Sequence, residues 1–315
     1  MPALDPVVLF FLLGLAAGLL RAELRLPPAI YEFLSVLLLL SIGLKGGVEL
    51  AKQPLGAMLP KMLAVVLMGA LLPLAAYPVL RFAGRFKRAD AASIAAHYGS
   101  ISVGTYAVAV SYLAYREVYF EAYMPVFLVL LEMPAIVVGI LLARGVNKDT
   151  SWYLMIRDVL LGKSMVLLFG GLLIGWATGP EGIKPIEGVF FDMFKGVLAL
   201  FLLEMGLIAA SQVASLRRHG LFLLAFGLLM PLAASIVGAV LGWLLYLSVG
   251  GTMLLATLAA SASYIAVPAA MRLSVPEANP TLSLAASLGV TFTFNVMAGI
   301  PLYHQLAEHI HRLGG

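Results

Sequence analysis

The chain has 315 residues, of which 62% are hydrophobic and 11% charged, with a net charge of +4 and no cysteine. A soluble domain carries roughly 25% charged residues, so a chain this poor in charge cannot face water over most of its surface, and its main solvent is lipid. The missing thiols exclude a disulfide framework and cysteine-based metal or redox chemistry, and the basic residues fall between apolar runs instead of forming a nucleic-acid patch.

Ten apolar runs follow in chain order, at about 7–20, 29–51, 60–83, 90–114, 119–143, 163–178, 189–213, 219–247, 251–274 and 280–307. About twenty helical residues cross a hydrocarbon core about 30 Å thick. The expected fold class is therefore an all-α polytopic membrane protein of about ten transmembrane helices. The first run has the length of a signal-peptide core, but Asp5 precedes it where a basic residue belongs, and no small-x-small cleavage site follows. It is read as helix 1. The three histidines near the C-terminus, His304, His309 and His311, are read as part of a solvated tail.

The chain also resembles itself. Ile42-Gly43-Leu44-Lys45-Gly46-Gly47 parallels Met205-Gly206-Leu207-Ile208-Ala209-Ala210, and Ser102-Val103-Gly104-Thr105-Tyr106-Ala107 falls against Ser263-Tyr264-Ile265-Ala266-Val267-Pro268. Val138-Gly139-Ile140 parallels Ala298-Gly299-Ile300, again at an offset near 160. This divides the chain into a first five-helix repeat over 1–150 and a second over 151–315. Five is odd, so the second copy enters the membrane from the opposite side, the inverted repeat of many secondary transporters. With the N-terminus outside, the inner segments hold thirteen Lys and Arg (among them Arg21, Arg25, Lys148, Arg217, Arg218 and Arg272) against five in the outer ones. That bias places both termini outside a bacterial inner membrane and the 144–163 loop in the cytoplasm.

The fourth run holds Tyr98-Gly99-Ser100-Ile101-Ser102-Val103-Gly104-Thr105, and the ninth holds Ser261-Ala262-Ser263-Tyr264 and then Pro268. Asp90 to Ile101 as helix covers about 18 Å, so the first cluster sits near the bilayer midplane. Glycine and serine weaken a helix and proline breaks it. Helices 4 and 9 are therefore expected to be broken, at matching repeat positions, and such breaks mark a transporter binding site. Half-helix N-termini suit an anion. The candidate anion ligands are Ser100, Ser102, Gly104, Thr105, Ser261, Ser263 and Tyr264. Glu132 lies mid-run in helix 5, with Asn295 near the equivalent place in helix 10. An intramembrane acid is a functional candidate by default, and oxygen ligands suit a hard cation. The candidate sodium ligands are Glu132, Asn295, Thr291 and Ser100. The competing readings are small residues that merely let helices pack and a protonated Glu132 bonded to backbone. Glu204, the other deep acid, has an interhelical hydrogen bond or an ion pair with Lys45 or Lys195 as its plain reading. His97 three residues before Ser100 is a poor nucleophile–base geometry, with no nucleophile elbow. No enzyme activity and no resident cofactor are expected.

Several segments resemble the sodium-dependent bicarbonate transporters best known from cyanobacteria. They are Pro28-Ala29-Ile30-Tyr31-Glu32-Phe33, Ile42 to Gly47 and His97-Tyr98-Gly99-Ser100-Ile101-Ser102, then Glu132-Met133-Pro134-Ala135-Ile136 and Phe294-Asn295-Val296-Met297-Ala298-Gly299-Ile300-Pro301-Leu302-Tyr303. The similarity covers essentially the whole chain. It implies sodium-coupled uptake of bicarbonate or a similar small anion by a homotrimer. It also implies an elevator built of panel helices 1, 2, 6 and 7 and core helices 3–5 and 8–10, and control by a cytoplasmic PII-like protein. The alternatives that stay open are a cation/proton antiporter, or a sodium symporter of another organic anion on a related fold.

Overall fold

In the computed structural model the described residues are 5–24, 26–145, 156–157 and 159–314, the side chains of 213–219 excepted. Arg25, Lys148 and the side chains of Arg217 and Arg218, four of the cations behind the expected orientation, lie outside them. The described residues form helices and connections, with no strand.

The run at 7–20 becomes α1, Pro6–Leu19, started by Asp5, whose carboxylate accepts from the Val7 N–H at 3.0 Å. The next is α2, Pro28–Ala51, with proline at its first position, where no N–H is required. Then comes α3, Leu55–Pro78, extended by a π-helical turn over Val79–Ala83. The fourth run divides into α4, Arg88–Gly99, and α5, Val103–Tyr115, and the fifth is α6, Met124–Arg144. In the second half α7 is Lys163–Ile183 and α8 is Phe194–Leu244. The ninth run divides into α9, Val249–Ala259, and α10, Ala266–Ser274. The tenth is α11, Pro280–Leu284, followed by π-helical turns over Ala285–Phe292 and Asn295–Gly299 and by α12, Ile300–Gly314.

Two expectations change here. The seventh and eighth runs are joined by helical backbone, and α8 is interrupted only at Gly220, at φ 87° and ψ 165°. A residue without Cβ takes that conformation at little cost, which lets the chain turn there with no loop. Of the three C-terminal histidines, His309 is exposed, as a solvated tail requires, but His304 and His311 are packed against the protein. His304 Nδ1 lies 3.3 Å from the Tyr112 hydroxyl and His311 Nε2 lies 2.9 Å from Thr252 Oγ1, so α12 packs on α5 and α9 as far as Gly314.

Seven helical segments among the described residues are long and apolar enough to cross a bilayer, with α1 and α9 as shorter apolar helices. Along α3, Leu55, Leu59, Leu63, Leu67 and Leu71 recur every four residues and all are more than half exposed. A leucine stripe of that kind is stable against acyl chains and not against water. The protein is therefore a multi-pass membrane protein.

Two close helix crossings hold one layer. Gly43 and Gly47 of α2 meet Gly171 and Gly175 of α7, and a Cβ at any of the four would run into the partner's backbone. Gly14 and Gly18 of α1 meet Gly206 and Ala210 of α8 in the same way. Small residues four apart let backbones touch where the hydrophobic effect cannot drive association. In the other layer, Ala91, Ala92, Ala95 and Ala96 of α4 are fully buried. Gly99 at the end of α4 admits the Pro73 ring of α3, and Gly139 of α6 admits Ala96.

Candidate functional site

The first break forms because Gly99 and Ser100 end α4 and Ser102 starts α5. Ser100 is extended, at φ −93° and ψ 175°. Ser102 is the N-cap of α5, and its hydroxyl accepts from the Thr105 N–H at 3.1 Å and from the Thr105 hydroxyl at 2.8 Å. The second break runs from Ala260, which closes α9, to Ile265, which precedes α10. Pro268 falls in the first turn of α10, where its missing N–H costs nothing.

The two breaks bond directly to each other. The Ser102 N–H donates to Ser261 Oγ at 3.0 Å, and Ser261 Oγ donates to the Leu258 carbonyl at 2.8 Å. The Ser263 N–H donates to the His97 carbonyl at 2.9 Å. The Tyr264 hydroxyl lies over Gly104, where a Cβ would collide with it, and completes no hydrogen bond there. Every candidate anion ligand, from Ser100 to Thr105 and from Ser261 to Tyr264, thus lies in or beside the place where the two breaks meet. Beside it Ser102, Glu132, Ser164, Ser263 and Tyr264 line a crevice with about 10 Å3 of room for a water centre. That is space for about one water.

The proposed sodium ligands fall into two groups, not one. Glu132 is 2% exposed, and the Ser100 hydroxyl lies 3.4 Å from its carbonyl and 3.5 Å from its carboxylate. Asn295 is fully buried, donates from Nδ2 to the Ala260 carbonyl at 2.9 Å and accepts from the Tyr303 hydroxyl at 2.6 Å. Thr291 donates to the Gly227 carbonyl at 2.7 Å and sits 2.7 Å from the Tyr98 hydroxyl, which is left as the donor of that pair. Glu132 thus flanks the residue that closes α4, and Asn295 flanks the residue that closes α9. Each half of the chain presents an oxygen-bearing side chain at the end of its own broken helix, where freed carbonyls accumulate. Among the described residues no lysine or arginine pairs with Glu132.

His97 Nδ1 donates to the Ser93 carbonyl, 2.7 Å away and one turn back along α4, which fixes the proton on Nδ1. Its ring is not paired with Ser100, and no serine–histidine dyad forms. Sequence reasoning missed Tyr98, Tyr303 and Ser164. Tyr303 follows Asn295 by two helical turns, a spacing that puts both on one face. Ser164, at the start of α7, carried no signal.

Residues 6–308 match the family model of the Na+-dependent bicarbonate transporter superfamily, nearly the whole chain. Among curated proteins no match was found.

Proposed function

Since the chain belongs to the Na+-dependent bicarbonate transporter superfamily, a family of transporters and not of enzymes, we propose that it is a sodium-coupled symporter of bicarbonate. The observation that carries this reading is the interlock of the two broken helices through Ser102, Ser261, Ser263 and the His97 carbonyl, with Glu132 and Asn295 placed equivalently at its two ends. The anion is bound by first-turn N–H groups of α5 and α10 and by the serine hydroxyls, since no cationic side chain lines the crevice. Sodium is taken by carbonyls and side-chain oxygens at one or the other of the two groups, Glu132 with Ser100 or Asn295 with Thr291.

Coupling is required on energetic grounds. Moving a monovalent anion inward against 100 mV costs about 2.3 kcal/mol, and one co-transported sodium cancels that charge. An antiporter would place paired carboxylates at the breaks, and here Asn295 stands opposite Glu132.

The architecture that goes with this function is ten crossings in two inverted repeats, 1–150 and 151–315, with both termini outside a bacterial inner membrane. The reciprocity of the glycine crossings supports it, because helix 2 packs on helix 6 as helix 7 packs on helix 1. The core helices 3–5 and 8–10 carry the site across against the panel. Ser102→Leu and Ser263→Leu test the site: both residues are 2% exposed, and a leucine there blocks close approach of backbone to an anion. We expect uptake to be lost while the folded protein is still obtained. Full uptake in both variants at normal expression would refute the site.

A further inference from the structure

The crevice at the breaks contains no lysine or arginine, so an anion must be drawn to it by charges placed elsewhere. One cavity meets that need. It leaves about 230 Å3 for water centres, and its wall includes Lys45 of α2, Lys195 of α8, and Tyr106 and Val110 of α5. Among the described residues no aspartate or glutamate lines it. Neither lysine is neutralised by an ion pair among the described residues, and Glu49, one turn beyond Lys45, is held by Lys52 at 2.8 Å.

The position of this cavity relative to the breaks is informative. The small crevice touches Leu39 of α2 and Val103 of α5, and the large cavity touches Ile42 and Tyr106. Both helices thus advance by three residues, about 5 Å, from one space to the next. The large cavity ends a single turn short of Ser102, with Tyr106 at its floor. Its other wall includes Phe120, from the connection after α5, and Phe190, from the connection before α8. Those connections lie on the face that the charge bias assigns to the outside.

We propose that Lys45 and Lys195 form an anion-capture vestibule on the uptake side, which holds a small monovalent oxyanion before it passes Tyr106 to the breaks. The inference rests on the symport reading for its direction and substrate. Two like charges in a cleft with apolar walls focus the potential and raise the local anion concentration. An ammonium group is strongly hydrated and has no planar fork, so it holds an oxyanion loosely enough to hand it on. The phenylalanines on the wall keep the local dielectric low.

Two experiments separate this inference from the symport reading. In proteoliposomes, Lys45→Gln and Lys195→Gln should each raise the bicarbonate KM by about threefold to tenfold, with the double variant beyond either. Their kcat and sodium half-saturation should stay within about twofold of the parent, and Lys→Arg at both sites should restore KM. An unchanged KM in the double variant, or a change that arginine does not restore, overturns the vestibule. In purified protein, acetylation of Lys45 and Lys195 by acetic anhydride is followed by mass spectrometry, with Lys52 as internal reference. Formate at constant ionic strength, balanced with gluconate, should slow acetylation of Lys45 and Lys195 and leave Lys52 unchanged. Protection in a protein that shows no bicarbonate uptake would sink the symport reading and keep the vestibule. Equal acetylation of all three lysines with and without formate would sink the vestibule whatever the transport result.

Discussion

Asn295 is bonded on both sides, to the Ala260 carbonyl and the Tyr303 hydroxyl, deep in the protein. Alanine there would leave both partners buried and unmatched, at about 1–3 kcal/mol each. Glu132→Gln has no cation to abandon and keeps the shape of the side chain. We therefore expect Asn295→Ala to lower the Tm in detergent and to raise the sodium needed for half-maximal uptake. Glu132→Gln should leave the Tm nearly unchanged and lose sodium activation. Unchanged sodium activation in both variants would make the pair structural. Composition was enough to single out Ser100, Ser102, Ser261, Ser263, Glu132 and Asn295, because serine and acid in apolar runs have few other reasons to be there. The Ser102–Ser261 bond was not legible, since its partners are 159 residues apart and only the fold brings them together. The division of the sodium set into two groups was hidden for the same reason.

At the scale of the helix, the breaks were legible because glycine, serine and proline are local signals that act within a turn. The π-helical turns over Ala285–Phe292 and Asn295–Gly299 were not, as nothing in that apolar run marks a change of hydrogen-bond register. The paired small residues at Gly43 and Gly47 and at Gly171 and Gly175 could be seen in the chain, but not which helix would meet which. At these crossings a side chain has nowhere to go, because the neighbouring atoms are backbone. We expect Gly171→Leu or Gly206→Leu to cost about 1–3 kcal/mol or more by overpacking. The readout is a smaller monodisperse peak in size-exclusion chromatography, with the sodium half-saturation of the surviving protein unchanged. Gly170, which has nothing near its Cβ position, is the control. Normal yield of both crossing variants would mean that α2 and α7, and α1 and α8, do not pack this closely in the membrane.

For the whole molecule, the question is whether the core moves against the panel. The chain has no cysteine, so introduced pairs can be read without background. Phe11 of α1 and Phe292 of the tenth run lie with ring centroids 5.6 Å apart, one in the proposed panel and one in the proposed core. Tyr31 and Phe201 stack at 5.8 Å, both within the proposed panel. A short thiol-reactive cross-linker on Phe11→Cys with Phe292→Cys should stop uptake, and the same reagent on Tyr31→Cys with Phe201→Cys should not. Equal uptake in both would remove the sliding core. A cysteine at Lys148, outside the described residues, should resist an impermeant reagent in intact cells if the 144–163 loop is cytoplasmic. The all-helical, multi-pass character was legible from run lengths, whereas the joining of the seventh and eighth runs through Gly220 was not, since one glycine replaced an expected loop. Sodium-coupled bicarbonate uptake through the interlocked breaks can be measured with labelled bicarbonate in proteoliposomes of the purified protein. An inward sodium gradient should drive accumulation above equilibrium that collapses when potassium replaces sodium. Accumulation that is the same with and without the sodium gradient would contradict it.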